Sequence, residues 1–382
     1  MALKSKAVGG APKVKRRSPL WARLCAIFGC TLMVLSGGAL ITSQAVVARY
    51  AGAVETKDLF GNSPENGKKE PVSDIKGPLN ILLVGIDPRD ESTPPLSDSI
   101  IVAHITKDLD RAYLFSIPRD LRVEIPAFPK AEFLGSTEKI NSAMSHGSKL
   151  GNGKHDAAQG FDLLAKTVGK LTGIKEFDAG AIINFHGFKD IVEAMGGVTM
   201  KIDQNVKSEH LQPNGKPRDR MAGCESHQCE HPYIGPQAEY KKGTYHLEAW
   251  QALDYVRQRY GLPNGDYDRQ RHQQQFIRAM ADQALSKDVV TNPIKLDQVL
   301  RAAGDALIFD GNGHNVIDWG LALRNLRTQD MTLIKLPGGG LIENGAYLGE
   351  QLEPSAKDFF AALQTDSVSS FLVDNPKYLQ KQ

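Results

Sequence analysis

The segment Leu79–Ile117, LNILLVGIDPRDESTPPLSDSIIVAHITKDLDRAYLFSI, decides the fold. Its first run, Leu79–Val84, is short, apolar and closed by Gly85, which is the pattern of a fully buried strand. Two further β-rich runs, Ser99–Ile105 and Arg111–Ile117, are joined by the turn-like Lys107-Asp108-Leu109-Asp110. The stretch between the first two runs is rich in Pro, Asp and Ser and has no helical periodicity. Without a crossover helix that pair is expected to be antiparallel, and the short turn that follows implies the same for the next pair. Such a meander puts the end of the first strand, the start of the second and the end of the third on one edge. Charged residues stand at those three places: Asp87 and Arg89, then Asp98, then Arg119 and Asp120.

Downstream, helix and strand signals alternate, which points to an α/β class. Ala157–Leu171 carries apolar residues at helical spacing and stops at Gly173. A strand is expected over Ala179–Phe185, a helix over Phe188–Met195 ended by Gly196-Gly197, and a strand over Val198–Ile202. Residues 203–242 form a polar insertion. Helices are expected over His246–Tyr255 and Tyr267–Leu285, and the portion 286–382 completes or flanks the same fold.

Upstream, no acidic residue precedes Glu55 in the chain of 382 residues. Lys4, Lys6, Lys13, Lys15, Arg16, Arg17 and Arg23 (within a tail, 1–23) lead into an uncharged run, residues 24–48. At about 1.5 Å of rise per residue that run exceeds the roughly 30 Å hydrocarbon core. Cations on its N-terminal side orient the amino end toward the cytoplasm and export the rest. A cleaved signal peptide ending at Ala51-Gly52-Ala53 is the alternative, and it exports the same residues. Residues 49–77, rich in Gly, Pro and Lys toward their end, read as a linker before a catalytic domain over 78–285. Cys25 and Cys30 fall in the apolar run. Cys224 and Cys229 lie in the exported insertion, where an oxidising compartment favours a local disulfide. His227 and His231 nearby leave a zinc site as the alternative. Export also argues against a nucleic-acid partner for the basic stretches.

Arg257 and Arg259 stand two apart after a helix, so an extended segment points both guanidinium groups to one side. Arg269 and Gln273 are one turn apart on the next helix and share a face. Together they suit a phosphate cradle, because guanidinium binds phosphate bidentately near a helix N-terminus; a solvated basic face is the bland alternative. Asp87 and Asp98 are candidate ligands for Mg²⁺ or Mn²⁺, since a hard cation takes one or two carboxylates and completes its shell with phosphates and water. Each read alone is a turn or strand-cap aspartate. Lys139 is a further phosphate contact or a surface lysine. No P-loop, HExxH or GxSxG motif competes.

In that order, ILLVGIDPR, LSDSIIV, SIPRDLRVEIP, KINSAM, INFHGFKDIVEAMGGV and ALDYVRQRYGLPNGDYDRQRHQQQ resemble the LytR-CpsA-Psr family of cell-envelope glycopolymer transferases. The likeness covers roughly residues 78–280. It implies an α/β/α sandwich around a central mixed sheet, preceded by one transmembrane helix, with a greasy pocket rimmed by arginines and aspartates. It implies transfer of a glycopolymer from a polyprenyl-pyrophosphate carrier to peptidoglycan, with a phosphodiester formed and polyprenyl phosphate released. By motif position, Asp87 and Asp98 correspond to the carboxylates at the Mg²⁺-pyrophosphate. Arg89, Arg119, Arg257, Arg259 and Arg269 correspond to pyrophosphate-binding arginines, and Gln273 to the glutamine after them. Arg119, Arg257, Arg259 and Asp98 are the residues expected to carry catalysis. Two departures stand out: Leu96 precedes Ser97-Asp98 where many relatives have Arg, and His272 takes the place of an arginine, with Arg271 shifted by one. A polyprenyl-pyrophosphate hydrolase would use the same residues, and a membrane-anchored regulator is a third reading.

Overall fold

The computed structural model describes residues 54–61, 74–87, 92–224, 229, 231–284, 293–323 and 325–380. The expected anchor, Arg89 and His227 lie outside them. Among the described residues no helix is long and apolar enough to cross a membrane.

Strands β1 (Leu79–Ile86), β2 (Ser97–Ile105) and β3 (Ala112–Ser116) form the antiparallel meander, with Gly85 opposite Ser99 and Ile101 opposite Ser116. A small antiparallel pair follows, β4 (Arg122–Ile125) with β5 (Ser136–Lys139). Helix α1 spans Ala157–Thr172; the Asp156 carboxylate caps it by accepting from the amides of Ala158 and Gln159, and Gly173 ends it at a φ of 74°. That left-handed turn is one that glycine adopts without a Cβ clash. Strand β6 (Ala179–Asn184) then lies parallel to β1, and α2 (Phe185–Ala194) leads to β7 (Val198–Ile202).

The expected helix from His246 is corrected. Residues Gly243–Leu247 form strand β8, with His246 opposite Thr199 of β7, and helix α3 (Ala249–Arg257) begins only after Glu248. Two local features explain the shift. Thr244 and Tyr245 favour a pleated strand. The Glu248 amide donates to Gln251 Oε1 at 2.9 Å, which makes Glu248 the cap and Ala249 the first helical residue. Arg257 is accordingly the last helical residue.

Helix α4 (Asp266–Ala284) and α5 (Pro293–Ala306) precede β9 (Leu307–Asp310) and α6 (Val316–Ala322); then come β10 (Met331–Ile334), the hairpin β11 (Gly338–Glu343) and β12 (Ala346–Leu352), α7 (Ala356–Gln364) and α8 (Val368–Asp374). The central mixed sheet has seven strands in the order Glu55–Thr56, β9, β6, β1, β2, β3, β10. Both its faces are covered. Leu82, Val84 and Phe115 join Phe161 and Leu164 of α1 and Phe359 of α7 in one cluster. Ile81, Ala103 and Leu114 face the other way, toward Trp319 of α6 and Ile277 of α4. Double coverage explains why β1 reads as a continuous apolar run and not as an alternation. Residues beyond 286 therefore supply two strands and part of the core.

Candidate active site

The meander register brings Asp87 (after β1), Asp98 (in β2) and Arg119 (after β3) to one sheet edge, and the N-terminal turns of α4 close over it. Arg119 donates to the Asp98 carboxylate, and its Nε lies 3.8 Å from Asp120 Oδ2. Lys139 Nζ stands 3.0 Å from the other oxygen of Asp120. Arg269, one turn into α4, is buried; its Nη2 donates to the Asp98 carbonyl at 3.2 Å and lies 2.7 Å from Asp266 Oδ1. The Nε atoms of both Arg119 and Arg269 are buried donors without a hydrogen-bond partner. Leaving such a donor unsatisfied costs on the order of 1–3 kcal/mol, more for a charged group. Burial, and then the neighbouring guanidinium groups of Arg119 and Arg259, depress the proton affinity of Arg269 against the pull of Asp266 and Asp98. For Arg119 burial acts in the same sense, but Asp98, Asp266 and Asp120 outweigh it and raise its pKa.

The two arginines at the end of α3 are held differently. Arg257 Nη2 donates to Asp87 Oδ2 at 2.7 Å across 170 residues. Arg259 Nη2 donates to the Tyr260 hydroxyl at 2.7 Å, and its guanidinium lies 4.7 Å from the centre of that ring. Between them Gln258 turns inward and is buried. Its Oε1 accepts from the Glu209 amide at 2.8 Å, and its Nε2 donates to Asp254 Oδ1 at 2.7 Å. Ser208 Oγ and the Tyr240 hydroxyl also donate to that carboxylate, at 3.0 and 2.7 Å. Burial raises the pKa of Asp254 despite these donors, and it raises that of Tyr240 as well. Gln258 was not singled out in the sequence, although the alternation that pairs Arg257 with Arg259 also points it inward.

Gln273 does not join the arginines. Its Oε1 accepts from Ser99 Oγ at 2.9 Å, and it lines a cavity of about 60 Å³ between the sheet and helices α2, α3 and α4. The cavity walls include Leu83, Ile101, Ile183, Phe188, Phe276 and Ile277. The two sequence departures also resolve. His272 is fully buried, stacked on Tyr255 with centroids 4.5 Å apart, and 3.4 Å from Asp203. Arg271 bonds Asp203 at 2.7 Å and Asp268, so both side chains tie α4 to the end of β7 and leave the arginine group. Leu96 is partly exposed before β2.

The hairpin β11–β12 reaches the same edge, which the sequence did not foretell. The Glu350 amide donates to the Asp120 carbonyl at 2.7 Å, and Tyr267 and Tyr347 both donate to the Glu350 carboxylate, at 3.0 and 2.8 Å. Gly349, at φ 135°, permits the approach: a Cβ there would lie 2.5 Å from the Asp120 carbonyl.

Among the described residues no group of three or more His, Cys, Asp or Glu is placed to hold a metal. Asp87 and Asp98 nonetheless offer oxygen donors of the kind a hard divalent cation uses together with phosphates and water. Cys224 and Cys229 form a disulfide with Cα atoms 5.6 Å apart, so neither sulfur is a thiolate for zinc.

Comparison with known proteins agrees with this architecture. The solved structure of TagV from Bacillus subtilis superposes with a TM-score of 0.53 at 21% identity, covering 79% of this chain and 99% of that one. The shared feature is the α/β fold around a mixed sheet. In sequence, the cell wall biosynthesis protein LcpA of Corynebacterium glutamicum is 26% identical over 298 residues, 71% of this chain and 52% of that protein. The polyisoprenyl-teichoic acid–peptidoglycan teichoic acid transferase TagV of Bacillus subtilis is 26% identical over 285 residues, 74% of this chain and 62% of that protein. The chain thus spans 52% and 62% of the length of these two curated relatives. Over residues 45–365 it matches the LytR_cpsA_psr family, and it belongs to that family.

Proposed function

We propose that the protein is a phosphotransferase of cell wall assembly, moving a glycopolymer from a polyprenyl-pyrophosphate carrier onto peptidoglycan. One observation carries this reading: Arg119 and Arg269 both bond to Asp98, and each keeps a buried Nε without a hydrogen-bond partner. An anion with several acceptor oxygens would satisfy both. The similarity to TagV, a polyisoprenyl-teichoic acid–peptidoglycan teichoic acid transferase, supports the same chemistry.

In the reaction, an acceptor hydroxyl oxygen bonds to the glycan-bearing phosphorus while the bond from that phosphorus to the bridging oxygen breaks. Polyprenyl phosphate departs, and the hydroxyl proton passes to a phosphate oxygen, or to the Asp98 carboxylate where that group does not ligate the metal directly. Arg119, Arg257, Arg259 and Arg269 hold the pyrophosphate and neutralise charge on its oxygens, which is most of what phosphoryl transfer asks of a protein. Asp87 and Asp98 would hold Mg²⁺ or Mn²⁺, which supplies further neutralisation of phosphate charge. The polyprenyl tail would lie between the sheet and helices α2 and α4. The acid-free basic N-terminus and the uncharged run 24–48 support a reading in which the site lies outside the cytoplasm on a single membrane anchor.

The test uses the full chain in detergent with a polyprenyl-pyrophosphate glycan, a peptidoglycan fragment and Mg²⁺. The expected products are a glycan–phosphate–peptidoglycan adduct and polyprenyl monophosphate. Release of glycan phosphate to water with the acceptor untouched would replace transfer by hydrolysis. An unconsumed carrier would remove the reading altogether.

A further inference from the structure

We propose that the insertion 203–242, closed by the Cys224–Cys229 disulfide, is a positioning device for the arginine pair, so that reducing this disulfide slows the transfer. The inference rests on the reading of Arg257 and Arg259 as pyrophosphate contacts. The insertion grips the pair from two directions. Beneath it, the Glu209 amide and the Ser208–Asp254–Tyr240 hydrogen bonds fix the buried Gln258. Beside it, the ring of His231 meets Tyr260 edge-on, with centroids 4.9 Å apart, and Tyr260 in turn holds the Arg259 guanidinium.

The two grips differ in how they are secured. Ser208 and Glu209 are buried, and the buried Arg218 guanidinium ties that strand down by donating to the carbonyls of Glu209, Tyr233 and Gly235 at 2.8, 3.2 and 3.2 Å. His231 is half exposed. Among the described residues its neighbourhood rests on a ladder of two residue pairs, Asp219 with Ile234 and Arg220 with Tyr233, on the Met221 amide to the Pro232 carbonyl at 2.7 Å, and on a contact from His231 Nδ1 to Glu209 Oε1 at 3.4 Å. An isolated ladder of two strands is marginal in water. The disulfide joins Cys224 to Cys229, between Met221 and His231 in the chain, and so restrains the segment that carries His231. Tyr260 and His231 are therefore positioning residues for Arg259, and the disulfide adds rigidity to the outer grip.

A misplacement of the order of 1 Å at a reacting centre costs about 10²-fold in rate. Reduction of the wild-type full chain with dithiothreitol is expected to lower kcat about tenfold and to weaken binding of inorganic pyrophosphate in parallel. Affinity for a polyprenyl alcohol, which reads the tail site alone, stays unchanged. A C224S/C229S variant starts at the reduced rate and no longer responds to dithiothreitol. Should that variant not fold, Tyr260→Phe, which keeps the ring and loses the hydroxyl bond to Arg259, is expected to show the same loss of kcat and pyrophosphate affinity. Equal kcat and equal pyrophosphate affinity in oxidised and reduced wild type would overturn the inference and leave the proposed function standing. If the oxidised protein consumes no carrier, the proposed function falls, and the pyrophosphate titrations alone still decide whether the disulfide positions Arg259. A parallel fall in polyprenyl alcohol binding would mean general unfolding and would also overturn it.

Discussion

Arg257 and Arg259 flank a Gln258 that is anchored inward, and their charges are not interchangeable with that of lysine. Arg257 reaches Asp87 through one Nη, and its planar fork is the geometry that binds a phosphate through two parallel bonds. An ammonium keeps the charge and loses the fork. Loss of one preorganised donor at a reacting centre costs on the order of 10²–10³ in rate. Arg257→Lys is therefore expected to fold, to bind a polyprenyl alcohol like the wild type, and to turn over carrier more than tenfold slower (about 10-fold as the lower bound). Wild-type kinetics would return Arg257 to a solvated surface role. Asp98 calls for a different substitution, because removing its side chain would strand the Arg119 guanidinium. Asp98→Asn still accepts from Arg119 and drops the negative charge; its melt should stay near wild type while activation by added Mg²⁺ disappears. Residue types and spacings were legible here. Partners were not, since Asp87 meets Arg257 from 170 positions away and only the assembled sheet brings them together. Gln273 shows the same limit: helical spacing put it on the face of Arg269, but the neighbour that claims it is Ser99 from β2.

Elements were legible where their ends carry chemistry. Helix α1 begins at an aspartate whose Oδ1 accepts from the Ala158 and Gln159 amides at 2.7 and 3.1 Å, and it ends on a left-handed glycine. Asp156→Ala should lower unfolding free energy by about 1 kcal/mol, the usual worth of an N-cap carboxylate, with catalytic constants unchanged. Chemical denaturation of the two proteins checks it; equal midpoints would show that tertiary packing alone sets the helix start. Elements were misread where two signals overlapped. His246 sits before an amphipathic helix and so looked helical, yet the strand β7 opposite it recruits residues Gly243–Leu247 first. Strand β10 was beyond sequence reasoning for another reason. It lies parallel beside β3, and no local pattern announces a partner more than two hundred residues earlier.

At the scale of the whole molecule, the last hundred residues bind the fold together at the sheet end opposite the arginine group. His104, fully buried near the end of β2, stands between Asn80 of β1 at 2.9 Å and Asp366, between α7 and α8, at 3.1 Å. Asp366 also accepts from the Lys107 amide at 2.9 Å, so one carboxylate ties the C-terminal helices to the first meander. Burial lowers the pKa of His104, and the hydrogen bond and charge of Asp366 only partly oppose it. The sign follows from proton linkage. Above about pH 6.5 the histidine is neutral in both folded and unfolded chains and contributes no slope. As pH falls below that value the unfolded chain takes a proton which the buried ring resists, so stability declines until the folded-state pKa is passed. The slope from one such group is at most about 1.4 kcal/mol per pH unit. His272, buried against Tyr255, shifts in the same direction and adds its own share. His104→Gln should therefore be less stable than wild type at pH 7.5, where its hydrogen bonds are lost. It should also show a shallower decline between about pH 6.5 and 5, because one titrating group is gone. Denaturant midpoints across that range measure both effects. An acid slope identical to wild type would mean that His104 takes its proton within the fold as readily as in the unfolded chain, with Asp366 holding a charged imidazolium.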